Sequence, residues 1–277
     1  MVKKVLKQLI PPIIYSLLRA STKDDSIAVS NEMWTGNYSS WSEAKSKCTG
    51  YDNSNILEKC KEALLKVKNG EAVYERDSVL FGEIQYSWGL LAGIQRAALE
   101  NDGQLCVLDF GGSLGSSYYQ NKEFLSTLKS LKWCIIEQDN FVECGKEYFE
   151  SEQLMFYNKI EGCTEKQKPN IVLLSGVLQY LENPTEWINK IRALQCPYII
   201  LDRISFVETD ADLITVQNVP EEIYSASYPA WFFNEAELLK KFKGYYSLAS
   251  FDSFCDPPKL LNGHQRAKWK GHILTSR

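Results

Sequence analysis

The run VLDFGGSLGSSYY (107–119) carries the strongest chemical signal in the chain. An apolar strand ends at Asp109, the backbone turns through Gly111, Gly112 and Gly115, and a helix begins at Ser116 or Ser117, either of which can cap it. Glycines let the backbone approach a ligand closely, and the helix N-terminus offers unpaired N–H groups and the positive end of its dipole. A carboxylate two residues before the first glycine suits a ligand with a cationic amino group. It is no part of the dinucleotide fingerprint G-x-G-x-x-G, whose second glycine is replaced here by Ser113. Ser113 and Leu114 complete the turn. A second acid, Glu137, closes the next apolar run, KWCIIE (132–137), where a carboxylate can accept both hydrogen bonds of a ribose diol. The run NIVLLSGVLQYLENP (170–184) reads as a buried strand that delivers Ser175, Gly176 and Val177 to the same sheet edge, where open α/β sheets bind their ligands.

The elements that must position these residues follow from the periodicity. From Gln104 onward short apolar runs, LCVLDF (105–110), KWCIIE, LMFY (154–157), NIVLLS (170–175) and PYIILD (197–202), alternate with helix-like segments near 117–130, 140–150 and 184–194. That alternation predicts a mostly parallel sheet covered by helices. After a long irregular stretch, a helix near 234–242 leads to YYSLASFD (245–252) and a final WKGHILTSR (269–277), which predict a C-terminal hairpin on the sheet edge. Upstream, Ile56, Leu57, Cys60, Leu64 and Val67 form one helical stripe ended by Gly70, and a longer helix fits Ser78 to Glu100. The loop-rich WTGNYSSW (34–41) precedes them. The expected division is an amphipathic segment and linker over 1–33, a helical cap over 34–103 and the ligand-binding domain over 104–277.

Composition narrows the function classes. With 31 basic against 35 acidic residues the formal charge is −4, and no long run of one sign is available to track a phosphate backbone, so nucleic acid is not the expected partner. The eight cysteines are scattered without a close-spaced pair, a usage that suits a reducing cytoplasm. Two histidines and no clustered carboxylate ligands argue against a catalytic metal. In VKKVLKQLIPPIIYSLLRA (2–20), Lys3, Lys4 and Lys7 oppose Val5, Leu6, Leu9 and Ile10. The lysines and Pro11-Pro12 exclude a membrane span and spoil a signal peptide. Two readings stand: a basic helix lying on an anionic leaflet at the inner face of the cytoplasmic membrane, or a helix docked on protein, its own domain or a second subunit.

These pieces, in this order, resemble the seven-stranded, Rossmann-like fold of the S-adenosylmethionine (SAM)-dependent methyltransferases over roughly residues 78–277. More narrowly, WTGNYSSWSEA, GYD, YERDSVLF, LDFGGSLGSSYYQN, SGVLQYLENP and SYPAWFF are similar to a family of bacterial proteins designated methyltransferases and often associated with surface-polysaccharide genes. The resemblance implies SAM as cofactor, with Asp109, Gly111 and Gly115 on the methionine moiety and Glu137 on the ribose. Ser113 in place of the middle glycine is the departure. The implied activity is O-methylation of a saccharide or other small acceptor in cell-surface glycan assembly. Two rivals are an NAD-dependent nucleotide-sugar-modifying enzyme, against which Asp109 and the missing fingerprint speak, and a SAM-fold subunit that binds or scaffolds without catalysis.

Methyl transfer requires alignment of the acceptor and, for a hydroxyl, removal of its proton. The candidate bases are Asp202 at the end of the fifth strand, His264 in the last loop, Tyr180 after SGVLQ, and Asp77 near the start of the long helix. Each has a plain structural alternative: a paired carboxylate, a loop residue, a packing aromatic and a helix cap. Acceptor recognition is expected from VQNVPEEIYSASYPAWFF (216–233) and WTGNYSSW, with Gln217 reading hydroxyls and Tyr228 and Trp231 stacking on sugar faces, unless those aromatics cement a lid.

Overall fold

A computed structural model describes residues 33–49, 53–219 and 226–276. Strand β1 (Trp34–Tyr38) and helix α1 (Trp41–Lys45) lead to helix α2 (Asn53–Lys68), strands β2 (Tyr74–Arg76) and β3 (Val79–Phe81), and helix α3 (Trp88–Glu100). The alternating part follows as β4 (Gln104–Phe110), α4 (Ser116–Leu125), β5 (Ser130–Ile136), α5 (Asp139–Tyr148), β6 (Leu154–Tyr157), α6 (Ile160–Thr164) and β7 (Ile171–Ser175). A 3-10 turn (Leu178–Tyr180), α7 (Pro184–Ala193), β8 (Tyr198–Val207), β9 (Leu213–Val219), β10 (Ala226–Phe232), α8 (Glu235–Lys241), β11 (Tyr246–Asp252), β12 (Lys259–Leu261) and β13 (Gln265–Thr275) complete it.

The main sheet runs β11-β13-β8-β7-β4-β5-β6, with β12 added beside β13. Strands β4 to β8 pair in parallel, whereas β13 is antiparallel to both β8 and β11. This is the mostly parallel α/β sheet with a terminal antiparallel hairpin that the sequence predicts. Both faces are covered, which is why the central strands read as continuous apolar runs. Val107, Trp133, Ile135, Leu173 and Ile200 face one helical layer with Leu90 and Ile94 of α3, while Leu108, Cys134, Val172, Leu174 and Ile199 face the other with Ile188 and Ile191 of α7. Strand order reverses between β4, whose chain continues to β5, and β7, so the loops leaving β4 and β7 diverge at the sheet's carboxyl edge, the switch point where open α/β sheets bind ligands.

Three expectations are corrected. The long helix does not begin at Ser78: it starts at Trp88, and residues 74–81 form an antiparallel hairpin whose turn residues Asp77 (φ 51°) and Ser78 (φ 67°) both lie in the left-handed region, as a type I′ turn requires. The cap segment therefore holds strands as well as helices. The stretch after PYIILD is not irregular, because β8 continues to Val207, and β9 and β10 join β1 in a second, antiparallel sheet ordered β1-β9-β10. WTGNY is thus a strand rather than a loop. Asp202 accordingly lies within β8, and the following Arg203 adopts φ 54° where the β8–β13 register shifts. The amphipathic segment 1–20, its linker up to residue 32 and residues 220–225 of the expected acceptor segment lie outside the described residues. Among the described residues no helix is long and apolar enough to cross a membrane.

Candidate active site

The glycine turn wraps the carboxylate that precedes it. A Cβ on Gly112 would lie 2.5 Å from Asp109 Oδ2, and one on Gly111 (φ 74°) would lie 2.4 Å from Val177 Cγ2 in the loop after β7. Any side chain at either position would displace the acid or the neighbouring loop, so the sequence needs glycine there. Gly111 N–H donates to Ile136 O at 2.9 Å, buried Leu114 anchors the turn, and Gly115 (φ 108°) opens helix α4. Gly112 thereby packs on Asp109 and Gly111 on Val177, with Asp109 and Leu114 both buried beneath the turn.

Asp109 is 1% exposed, and its Oδ2 accepts a hydrogen bond from the Trp133 indole at 2.9 Å. Burial pushes its carboxyl up to about 7, against the lowering effect of that bond, and Glu137 and Asp202 push in the same direction as burial. No basic side chain among the described residues pairs with it. Glu137 accepts from Ser113 N–H at 3.3 Å and from Gln138 N–H at 2.9 Å, which ties the loops after β4 and β5, and burial raises its pKa as well. Ser175, at the end of β7, donates to Asp202 Oδ2 at 2.7 Å, and Gly176 N–H donates to Asp202 O at 2.8 Å. Ser87, just before α3, donates to Asp202 Oδ1 at 3.0 Å. Asp202 is 2% exposed, and burial raises its pKa.

The remaining candidates separate into groups. Asp77 pairs with Arg203 at 2.8 Å, and Asp256 pairs with the same guanidinium at 3.0 Å, so three distant segments meet at one cation. Asp77 is no helix cap. Tyr180 OH donates to Gln217 Oε1 at 2.8 Å, and its ring meets Tyr228 edge-on at 5.3 Å, so these three expected residues do come together. Trp231 donates to Leu181 O at 3.0 Å and stacks with Trp41 at 5.9 Å and Phe233 at 6.1 Å. It also lines an open groove of about 510 Å³ with Glu182, Asn183, Asp212 and Lys241. His264 stands apart: it is exposed in the turn between β12 and β13, against Asn262 O at 2.7 Å. Because Ala267 pairs with Val207, that turn lies beyond the strand position five residues past Asp202, about 16 Å along β8.

Two residues of the β2–β3 hairpin escaped sequence reasoning. Glu75 is 3% exposed; it accepts from the Ser116 hydroxyl at the start of α4 and from Ser78 N–H at 3.2 Å, and burial pushes its carboxyl up to about 7. Arg76, beside it, is also buried. A three-residue YER strand gives no periodic signal, and charged residues in it read by default as solvated. With Asp109, Glu137 and Asp202, Glu75 completes a set of acids along this edge whose charged forms burial disfavours. Such a set accommodates a cationic group on a ligand. Among the described residues no group of three or more His, Cys, Asp or Glu side chains is placed to hold a metal ion.

No family model matches the chain, and no curated protein matches it. Among solved structures, the N-terminal domain of EvdMO1 in the presence of SAH and D-fucose is 12% identical, with a TM-score of 0.44 over 82% of this chain and 98% of that one. The glycopeptide N-methyltransferase MtfA complexed with sinefungin is 9% identical (TM-score 0.44, 67% of this chain and 87% of that one). SAM-bound CalS10, an amino pentose methyltransferase from Micromonospora echinaspora, is 11% identical (TM-score 0.41, 69% and 92%). At such low identity and TM-score the likeness carries no conclusion about what this chain binds or does.

Proposed function

We propose that this chain is a SAM-dependent methyltransferase that O-methylates a saccharide or other small acceptor in cell-surface glycan assembly on the cytoplasmic side of the membrane. One observation carries the reading: the buried Asp109 carboxylate, without a basic partner among the described residues, lies directly beneath the Gly111-Gly112 turn at the strand-order reversal. SAM fits that donor set, since its amino group and sulfonium are cationic and its ribose presents a diol. In this proposal residues 104–277 form the cofactor domain, with 34–103 covering it and residues 1–20 reaching an anionic leaflet.

Asp109 and the turn from Gly111 to Gly115 hold the methionine moiety, Glu137 holds the ribose hydroxyls, and Ser175, Gly176 and Val177 line the wall between them. When bound, the cofactor supplies a methyl group on positive sulfur, which departs with its bonding electron pair left on sulfur. The chain's own residues orient the acceptor oxygen, exclude water and take up the hydroxyl proton. Tyr180, Gln217 and Tyr228 position the acceptor. Asp202 is assigned as the final proton acceptor by way of the Ser175 hydroxyl, because both its oxygens are occupied by serines. Mass spectrometry of the purified chain and thermal-shift titration with SAM, SAH and NAD test the reading. Stabilisation by SAM and SAH but not NAD is expected, and stabilisation by NAD alone overturns it.

A further inference from the structure

Arg76 is 8% exposed, yet among the described residues its guanidinium makes one hydrogen bond, from Nη1 to the neutral Gln85 Oε1 at 2.8 Å. The guanidinium carbon lies 4.6 Å from the Phe81 ring centroid and 5.4 Å from that of Phe254. Aromatic contacts of this kind satisfy the faces of the cation, whereas its five N–H donors point outward in the plane. No carboxylate among the described residues forms an ion pair with it. Arg203 offers the contrast within the same cluster, since it is matched by both Asp77 and Asp256. Its other guanidinium nitrogens have no protein partner among the described residues but are not sealed from solvent, so a ligand can reach them, and a planar fork between aromatic rings is preorganised for a bidentate oxyanion.

The residues around Arg76 belong to segments that reach the sheet's carboxyl edge. Asp77, next in sequence, reaches Arg203 beside Asp202, and Phe254 belongs to the loop that sends Asp256 to the same arginine. Gln85 lies two residues before Ser87, which donates to Asp202. Glu75, on the other side of Arg76 in sequence, contacts the helix opened by the glycine turn.

We propose that Arg76 is a specificity-determining anion receptor that takes a carboxylate or phosphate group of a ligand bound at this edge. The inference rests on reading the glycine turn as a SAM pocket. Such an anion has two sources, the carboxylate of the cofactor's amino-acid portion or an acidic group on the acceptor, and both would meet the same fork.

The test is calorimetric titration of the full chain and of the R76K and R76Q variants, each checked for native near-ultraviolet circular dichroism. The probes are SAH, 5′-methylthioadenosine, which lacks the amino-acid portion, and inorganic phosphate added to the SAH complex. A cofactor carboxylate at Arg76 weakens SAH by roughly ten- to a hundredfold in R76Q, less in R76K, and leaves methylthioadenosine within about twofold. An acceptor anion instead leaves SAH unchanged and abolishes the phosphate binding seen with the wild type. Equal weakening of SAH and methylthioadenosine, or SAH binding unchanged with no phosphate binding to lose, overturns the proposal. Failure of the wild type to bind either nucleoside removes the SAM pocket instead, and phosphate titration of the unliganded chain then decides Arg76: binding lost in R76Q upholds the receptor, and any other result overturns it.

Discussion

Replacing Asp109 by asparagine tests whether the acid beneath the glycine turn is an uncompensated charge. Burial pushes the native carboxyl up to about 7, whereas an unfolded aspartate titrates near 3.9. Because the folded value is the higher one, the folded state holds the proton across that interval, and stability is lost as pH rises from about 4 to about 7. Roughly three pH units at 1.36 kcal/mol each give a cost of about 4 kcal/mol above pH 7. Asparagine has the same shape, carries no charge and can still accept from Trp133. The unliganded D109N protein is therefore expected to be more stable than wild type at pH 8 by up to about 4 kcal/mol, a rise in Tm of roughly 10 °C, and to converge with it toward pH 4. SAH should raise the wild-type Tm and leave that of D109N nearly unchanged. Wild-type affinity should climb about tenfold per pH unit up to about pH 7 and then level off, since binding needs the ionised carboxylate. Thermal unfolding from pH 4 to 8.5 with and without SAH reads every arm. A lower Tm for unliganded D109N at pH 8 refutes the uncompensated charge, and equal stabilisation of both proteins by SAH refutes the cofactor contact.

G112A forces a Cβ to within 2.5 Å of Asp109 Oδ2; it should cost about 1–3 kcal/mol in urea unfolding and weaken SAH binding by more than tenfold. D256N removes a carboxylate that Arg203 and Ser253 hold at about 2, against the opposing effect of burial. Since that value is depressed, the stability it contributes, about 2 kcal/mol, is present above pH 4 and lost as pH falls from about 4 to about 2, so the difference between wild type and variant should shrink across that window. With an acceptor in hand, D202N should lower kcat by about 10²–10⁴-fold while H264Q stays near wild type, and the reverse ranking would reassign the base. Deleting residues 1–20 should release the chain from anionic liposomes at low salt without altering SAH affinity; liposomes that ignore the full chain would make the segment a packing element.

The central strands were legible because burial on both faces writes itself as unbroken apolar runs, and the acids at their ends follow once the runs are placed. What stayed hidden depended on contacts distant in sequence. Trp34 pairs with Gln217 across the chain, and nothing local to WTGNY announces that partner. Leu80 and Ile84 continue the helical period of α3 backwards, so periodicity alone absorbed the β2–β3 hairpin into a helix, although Asp77-Ser78 carried the turn signal. Of the site, the glycine turn and Glu137 were visible as a local pattern. Glu75 and Arg76 were not, because their burial is created by α4 and by the loop carrying Phe254, both far along the chain.

The clasp at Arg203 also says how this region can drift. Position 77 answers to two separate demands, a left-handed backbone at φ 51° and a carboxylate 2.8 Å from the Arg203 guanidinium. Asparagine and glycine meet the first and fail the second; glutamate meets the second and strains the first. Aspartate is the residue that meets both, so relatives that retain the arginine should retain aspartate there, and those that lose one should lose the other together.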